Sequence, residues 1–392
     1  MKKIFACVLA VAAAFALVSC SKKEAVPVPS GASSDSASAG KAATLRVAMV
    51  TDYGDITDQS FNQTTYAACK EFAAENNLDF KYYKPSGDST EARVSSINAA
   101  IQDDYNVLVL PGFAFAEALV KTVDDNPEIT FIALDVSEFD VTSSAEAMGK
   151  SNWKLPSNAF CAVYAEEIPG FFAGYAAVKE GYKHLGFLGG MSVPAVIRYG
   201  YGFVQGAEKA ASDMGIAKDV TIEYVYGGQF YGDQTITAAM DTWYQQRGVE
   251  VVFACGGGIW TSACEAAAKT KGKVIGVDVD QTELINAYGA GMCVTSAMKG
   301  LGATVKAVLK SIMDGSWSKY SGKISSLGLV SATDLDANFV QLPTDTWVMK
   351  NFSVDDYKAL VADVYNGKVS VSNSTDSEPA HTLTLNVYPN IK

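Results

Sequence analysis

Residues 106–136, NVLVLPGFAFAEALVKTVDDNPEITFIALDV, contain two short apolar runs separated by a longer amphipathic segment. The runs at 106–112 and 130–136 have the continuous Val, Ile and Leu content of strands that are buried on both faces. The segment between them has the length and polarity of a helix packed on a sheet. This stretch therefore predicts a strand–helix–strand unit with parallel strands, the repeating unit of an α/β fold.

The same alternation continues in both directions along the chain. On the N-terminal side, a strand is predicted at 44–50 and a helix at 62–77, followed by a second strand and helix. On the C-terminal side, a helix is predicted from about Ala159 to Glu180. Further strands are predicted at 184–190, 221–228, 249–258 and 273–279. The chain thus contains two similar series of alternating strands and helices, with no clean linker between them. This predicts two lobes, with several crossings of the chain from one lobe to the other.

Two segments depart from this alternation. Residues 137–158 are polar and without a clear period, and they are predicted to be irregular. Residues 371–392 are predicted to be a C-terminal extension, and the alternating pattern of HTLTLNVYPNIK at 381–392 is typical of an edge strand.

The N-terminus has the features of an exported lipoprotein. Lys2 and Lys3 precede an apolar run at 4–18, which is too short for a membrane span and typical of a signal peptide. LVSC at 17–20 resembles the bacterial lipobox, which predicts cleavage after residue 19 and lipid attachment to Cys20. The alternative is an ordinary secretory signal. Residues 20–43 are rich in Ser, Ala, Gly and Pro and are predicted to be a flexible tether.

Composition excludes several classes of function. The chain has 392 residues and a net charge of −12, so nucleic acid is not an expected partner. Besides Cys7 and Cys20, five cysteines remain, with no CxxC pair and only two histidines in the chain. Neither a metal site nor a cofactor is therefore predicted, and the five are expected to be buried free thiols, with one disulfide left open.

Polar and aromatic side chains lie at the ends of the predicted strands. In open parallel sheets, ligands bind at the carboxyl ends of the strands. VTDYGDITDQSFNQ at 50–63 supplies several of these side chains. The candidates are Asp52, Phe61, Asn62, Asp135, Phe230, Asp278 and Lys299. If the two lobes face each other, these side chains meet across one cleft.

These residue types favour binding over catalysis. The chain has no Walker A loop and no GxSxG motif, and GGG at 256–258 lacks the dinucleotide pattern. Aromatic rings can stack on a flat heterocycle, and carboxylates accept hydrogen bonds from hydroxyl and ring N–H groups. Many acids at one cleft disfavour a phosphorylated ligand. A neutral, flat, hydroxyl-bearing molecule such as a nucleoside fits. Helix capping by Asp52 or Asp58 and core packing by Phe61 remain alternatives.

Four motifs resemble those of the basic membrane protein family, which includes the PnrA-type purine nucleoside receptors. The motifs are VTDYGDITDQSFNQ at 50–63, FLGGMSVPAVIRYGYGFVQGA at 187–207, VIGVDVDQ at 274–281 and VTSAMKG at 294–300. The resemblance implies a type I periplasmic-binding-protein fold, with two Rossmann-like parallel-sheet lobes joined by hinge crossovers. It places lobe 1 at 44–160 with about 282–325, and lobe 2 at 161–281 with about 326–370.

The resemblance also implies roles for the candidate residues. Phe61 and Phe230 would stack on the base, although GGQFYGD around Phe230 is longer than the usual family pattern. The remaining candidates would bind polar groups. Base-edge partners would be Asp52, Asn62 and Asp135, and ribose partners would be Asp278 and Lys299.

The expected protein is a monomeric, lipid-anchored substrate-binding protein of the bacterial cell envelope. It would bind a purine nucleoside and deliver it to the permease of an ABC importer, without catalysis of its own. One alternative is a sugar, an autoinducer or another small metabolite as the ligand. The other alternative is an enzyme that processes nucleosides.

Overall fold

The computed structural model describes residues 45–392. The predicted signal peptide, Cys20 and the tether at 20–43 lie outside the described residues. The described chain forms two parallel-sheet α/β lobes. None of its helices combines the length and the apolar character that crossing a membrane requires.

The first sheet has six parallel strands in the spatial order β11-β5-β4-β3-β1-β2. In chain order they are β1 (Arg46–Val50), β2 (Asp79–Tyr83), β3 (Val107–Pro111), β4 (Thr130–Leu134), β5 (Ala159–Tyr164) and β11 (Lys323–Leu327). The order is consistent with the predicted strand–helix–strand units, because β3 pairs in parallel with β4.

The second sheet has seven strands in the order β12-β10-β9-β8-β6-β7-β13. In chain order they are β6 (His184–Gly189), β7 (Thr221–Tyr226), β8 (Val251–Cys255), β9 (Lys273–Asp278), β10 (Cys293–Lys299), β12 (Val340–Gln341) and β13 (Thr384–Val387). All of these pairings are parallel except that of the short β12 with β10.

Helices cover both faces of each sheet. Those of the first lobe are α1 (Phe61–Glu75), α2 (Thr90–Gln102), α3 (Ala116–Thr122), α4 (Glu138–Ala147) and α10 (Leu301–Met313). Those of the second lobe are α5 (Glu167–Glu180), α6 (Pro194–Asp213), α7 (Gln234–Thr242), α8 (Trp260–Ala267), α9 (Thr282–Asn286) and α11 (Val354–Tyr365). Two apolar clusters lie on opposite sides of each sheet, which explains the continuous apolar runs of the central strands.

Three crossovers join the lobes and lie side by side. The first, at 165–166, connects β5 to α5, and the Ala165 amide donates to the Leu327 carbonyl at 3.0 Å. The second is Gly300 between β10 and α10, whose amide donates to the Phe339 carbonyl at 2.7 Å. The third runs from 328 to 339, and the Phe339 amide donates to the Gly328 carbonyl at 3.1 Å. Adjacent, hydrogen-bonded crossovers form a compact hinge.

One local prediction is wrong and another is correct only in part. Of residues 137–158, which were predicted to be irregular, 138–147 form α4, which starts with a capping box of Ser137 and Asp140, whereas 148–158 are irregular as predicted. The helix predicted from about Ala159 begins only at Glu167, because residues 159–164 form β5. The predicted edge strand in the extension is confirmed by β13. The segment 282–325, expected in lobe 1, is divided: β10 belongs to the second sheet, whereas α10 packs on α1.

The five cysteines that follow residue 44 are all free and buried, which agrees with the prediction of structural thiols. Burial raises the pKa of the Cys255 thiol well above its usual range, so this side chain stays protonated and unreactive.

Candidate functional site

A cavity of about 590 Å³ lies between the lobes, at the carboxyl ends of the strands. Side chains from both lobes line it, as expected for two parallel sheets that face each other. All seven predicted site residues contribute to the lining: Asp52, Phe61, Asn62, Asp135, Phe230, Asp278 and Lys299. The structure thus brings together side chains that are up to 247 positions apart, from Asp52 to Lys299.

Two of the carboxylates occupy equivalent positions in the two lobes. Asp135 follows β4 and Asp278 ends β9, and both have positive φ angles, of 58° and 67°. A left-handed backbone is uncommon outside glycine, but Asp adopts it more readily than most residues. Such conformations are often found at functional sites. Here the turn ends each strand beside the cavity and directs the chain away from the sheet.

Lys299 is the cation at the centre of the polar part of the cavity. Its side chain is 3% exposed, and its ammonium group donates to Asp135 Oδ2 at 2.6 Å and to Glu166 Oε1 at 3.4 Å. The nearest oxygen of Asp278, Oδ1, lies 3.9 Å from the same nitrogen. A buried lysine is stable only when paired with charge, and three carboxylates surround this one.

Sequence reasoning missed Glu166, which lies in the first crossover. Its side chain is fully buried, and its Oε2 atom accepts a hydrogen bond from Arg198 Nε at 2.7 Å. Glu166 therefore links Lys299, at the second crossover, with α6 of the second lobe through Arg198. The second cation offsets the excess of negative charge around Lys299, which lowers the cost of burying the cluster.

Burial shifts the pKa values of this cluster. It raises the pKa of Asp135 to about 6, although Lys299 opposes the shift. It also raises the pKa of Asp278, again against the effect of Lys299. Burial alone would lower the pKa of Lys299, but the charges of Asp135, Glu166 and Asp278 raise it above its usual value. Lys299 is therefore protonated at neutral pH, whereas Asp135 takes up a proton when the pH falls to about 6.

The stretch at 50–63 forms one wall of the cavity, with its acids in different roles. Asp52 Oδ1 accepts from the amides of the next two residues at 2.6 Å, which fixes the turn after β1. Asp58 caps α1, because its carboxylate accepts from the amides of Ser60, Asn62 and Gln63 at 2.9–3.0 Å. The capping alternative thus applies to Asp58.

Aromatic rings form the apolar walls of the cavity. Phe61, at the start of α1, lies beside the charged cluster, and Lys299 Nζ is 4.8 Å from the centre of its ring. Phe230 comes from the second lobe, and its ring centre is 6.4 Å from that of Tyr53 in the first lobe. A Cβ atom added at Gly190 would lie 2.4 Å from the Phe230 ring, so only glycine leaves room for it.

Three residues that line the cavity each have a buried polar atom without a hydrogen-bond partner within residues 45–392. These atoms are Asn62 Oδ1, Asp135 Oδ1 and the Tyr199 hydroxyl. Buried polar groups almost always have a partner, because an unmade hydrogen bond costs about 1–3 kcal/mol. Their concentration in one cavity indicates a polar ligand. Tyr199 was not a predicted site residue, because its position in an amphipathic helix resembles that of a core aromatic.

Several contacts hold the two lobes together over the cavity. The Ser60 hydroxyl donates to Asp278 Oδ2 at 2.5 Å, and the side-chain amide of Gln281 donates to the Gln59 carbonyl at 3.0 Å. The Tyr53 hydroxyl also lies 3.1 Å from Met191 Sδ of the second lobe. The described arrangement is therefore one in which the lobes are closed on each other.

No group of three or more His, Cys, Asp or Glu in residues 45–392 has the arrangement of a metal site. The two aspartates of VIGVDVD, Asp278 and Asp280, have different surroundings. Asp278 lines the cavity, whereas Asp280 accepts from the hydroxyls of Thr282 and Thr346 at 2.6 and 2.7 Å at the surface.

Comparison with known proteins agrees with this architecture. The family described as "ABC transporter substrate-binding protein PnrA-like" matches residues 45–372. The ABC transporter nucleoside-binding protein BmpA of Lactococcus lactis subsp. cremoris is 29% identical over 363 residues, which cover 86% of this chain and 92% of that protein. Basic membrane protein B of Borreliella burgdorferi is 24% identical, over 73% of this chain and 78% of that protein.

Among solved structures, an ABC transporter solute-binding protein of Aeropyrum pernix superposes with a TM-score of 0.63 at 20% identity, over 83% of this chain and 87% of that one. The predicted type I periplasmic-binding-protein fold is thereby confirmed. The family match, which covers most of the chain, defines the protein as a substrate-binding protein of an ABC transporter. The chain belongs to the PnrA-like family of such proteins.

Proposed function

We propose that the protein binds a purine nucleoside between its lobes and delivers it to the permease of an ABC importer. The observation that carries the proposal is the combination, in one cavity, of two phenylalanines with a buried cluster of carboxylates around Lys299. A nucleoside has a flat base and a sugar with vicinal hydroxyls, and these two parts match the two kinds of lining.

The base would lie between Phe61 and Phe230, one from each lobe. Stacking of a base on an aromatic side chain contributes about 1–3 kcal/mol in nucleic-acid complexes. Asp52, Asn62 and Asp135 would accept from or donate to the edge of the base. The unpartnered oxygens of Asn62 and Asp135 support this assignment, because both are acceptors that a ring N–H or amino group satisfies.

The sugar would lie against Asp278 and Lys299. A carboxylate accepts hydrogen bonds from hydroxyl groups, and the ammonium group donates to them. The centre of the Tyr199 ring lies 5.8 Å from the same lysine nitrogen, and its unpartnered hydroxyl would supply a further group for the sugar. Carboxylates here would repel a phosphate, so the proposal is restricted to the nucleoside and excludes the nucleotide.

The relatives support the ligand and the location. The Lactococcus protein is described as nucleoside-binding, and it covers most of this chain. A relative from Pyrococcus abyssi is described as a lipoprotein. We propose that Cys20 carries a lipid that anchors this protein at the cell envelope, and that the protein acts as a monomer without enzymatic activity of its own.

Isothermal titration with inosine, guanosine, adenosine and uridine tests the proposed ligand. We expect saturable binding of at least one purine nucleoside by the chain without its first 19 residues, and weaker binding of uridine, because a single pyrimidine ring offers less stacking area. Titration with the matching 5′-monophosphate is the control, and we expect no binding. Absence of heat with all four nucleosides would refute the proposal, and a sugar found bound after purification would replace it.

The affinity for the nucleoside is expected to fall as the pH is lowered through about 6. Burial raises the pKa of Asp135 to about 6, above the ordinary value of 3.8. Above this pH the carboxylate accepts from the base, and below it the added proton removes that acceptor. Affinity should be about tenfold weaker at pH 5 than at pH 7, because one proton weakens binding by up to tenfold for each pH unit below a pKa of about 6. An Asp135→Asn variant is the control, and its affinity should not change over this range. A flat profile for the unmodified protein would contradict the prediction.

A further inference from the structure

The residues after 372 lie beyond the part of the chain that the family match covers, and they pack along the second lobe. The amides of Thr382 and Leu383 donate to Glu208 Oε2 at 2.8 and 3.0 Å. Residues 384–387 then form β13, which pairs in parallel with β7 and becomes an edge strand of the second sheet. The extension is therefore an integral part of this lobe.

Beyond β13 the extension continues along β7 towards the carboxyl end of that strand. The Tyr388 amide donates to the Tyr224 carbonyl at 2.9 Å, and the Ile391 amide donates to the Tyr226 carbonyl at 2.9 Å. The Tyr388 hydroxyl also donates to the buried carboxylate of Glu223 at 2.5 Å. The path ends at the loop 227–233, which connects β7 to α7.

Lys392 makes the contacts with this loop. Its ammonium group donates to Gln229 Oε1 at 3.2 Å and forms an ion pair with Asp233. Asp233 in turn accepts from the first amides of α7, so the ion pair joins the extension to the cap of that helix. The main chain of Lys392 lies under Gly228, where an added Cβ atom would be 2.7 Å from its oxygen.

The loop 227–233 carries Phe230, the aromatic wall of the second lobe. The ring packs closely on Gly190 and Gly256, where an added Cβ atom would come within 2.4 and 2.8 Å of it. Tyr231 beside the ring is 63% exposed, whereas Gln229 is buried, and the amides of Gly227 and Gly228 donate to the carbonyls of residues 189 and 190 at 2.7 and 2.8 Å. Within the loop, residues 230–232 line the cavity, whereas Gly228, Gln229 and Asp233, which Lys392 contacts, do not. The contacts of Lys392 therefore support the side of the loop that faces away from the cavity.

We propose that residues 388–392 form a brace that holds the loop 227–233, and with it Phe230, in the position that closes the cavity. Lys392 is then a positioning residue for ligand binding, although it does not contact the ligand. Because the brace already restricts the loop in the free protein, the loop loses less conformational entropy when a ligand binds. The affinity therefore increases although no contact with the ligand is added. The part of this inference that concerns affinity rests on the proposed function.

A Lys392→Met variant tests the brace, with Lys392→Arg as the conservative variant. In the protein without ligand, we expect faster amide hydrogen exchange in the loop 227–233 of the methionine variant, and exchange close to that of the unmodified protein in the arginine variant. The matched control is Lys368→Met, which removes an exposed pair with Asp363 elsewhere on the same lobe. Unchanged exchange in Lys392→Met would overturn the proposal, whether or not nucleosides bind.

The second measurement is the affinity for inosine and adenosine. We expect Lys392→Met to bind about two- to fivefold more weakly, the range for one partly exposed ion pair, and Lys368→Met to bind normally. In a Phe230→Ala background, which itself should lose about tenfold in affinity, Lys392→Met should have no further effect. Equal effects of Lys392→Met in both backgrounds would overturn the assigned role through Phe230. No binding by the unmodified protein would refute the nucleoside proposal and leave the exchange result to decide the brace.

Discussion

Replacement of Lys299 by methionine is expected to weaken nucleoside binding by about a hundredfold, because hydrogen bonds to charged groups contribute about 1.5–3 kcal/mol and the carboxylates beside it lose their partner. The side chain is buried, and its ammonium group lies 2.6 Å from Asp135 and 3.4 Å from Glu166. Methionine fills a similar volume without the charge. Titration calorimetry with the best nucleoside measures this loss directly.

The same variant should also lose about 3–5 kcal/mol of unfolding free energy at pH 7.5, the range for removal of one partner from a buried ion pair. Lys299 lowers the pKa values of Asp135 and Asp278, so without it both folded-state values rise further above 3.8. A raised carboxyl pKa destabilises the fold above that pKa, and the penalty fades as the pH falls. The variant should therefore recover part of its stability at pH 5.

A Lys306→Met variant is the matched control for both measurements. Lys306 lies on α10, close in sequence to Lys299, but its ion pair with Glu71 is exposed at the surface. Such pairs contribute at most about 1 kcal/mol, so we expect little change in stability and none in affinity. Normal nucleoside affinity in a folded Lys299→Met protein would show that the buried cluster does not bind the sugar.

The sequence predicted the strands and the location of the site because both depend on local pattern and on one geometric rule. Continuous apolar runs marked β1, β3 and β4, and parallel strands place their carboxyl ends on the same edge of a sheet. Side chains that follow different strands therefore meet, however far apart they are in the chain. This is why Asp52, Asp135 and Asp278 could be predicted to line one cleft.

Other features depend on which distant segments pair, and no local pattern shows this. The apolar run of β10 suits either sheet, and its pairing with β9 decides that it belongs to the second. Glu166 lies within what the sequence predicts as one continuous helix, so its place in a crossover beside Arg198 was not visible. The helix α4 was missed because its hydrophobic side is weak, although the capping pair Ser137 and Asp140 was a usable signal.

The close contact between α5 and α6 leads to a second prediction, which concerns the free energy of unfolding. These helices approach so closely that glycines from each face the main chain of the other. An added Cβ atom at Gly206 would lie 1.9 Å from the Phe171 carbonyl oxygen, and one at Gly174 would lie 2.1 Å from that of Phe203. Main-chain atoms in packed helices cannot rotate away, so any larger residue must separate the helices.

A Gly206→Ala variant is therefore expected to lose about 3 kcal/mol of unfolding free energy, the upper part of the range for overpacking. In a helix without such contacts the same change stabilises by about 0.5–1 kcal/mol, because alanine loses less backbone entropy. Gly302, in α10, is the matched control, since an added Cβ atom there would be 3.7 Å from its nearest neighbour. Urea unfolding of the two variants should thus give changes of opposite sign. If Gly206→Ala proved as stable as Gly302→Ala, the helices would not be held at the separation described here.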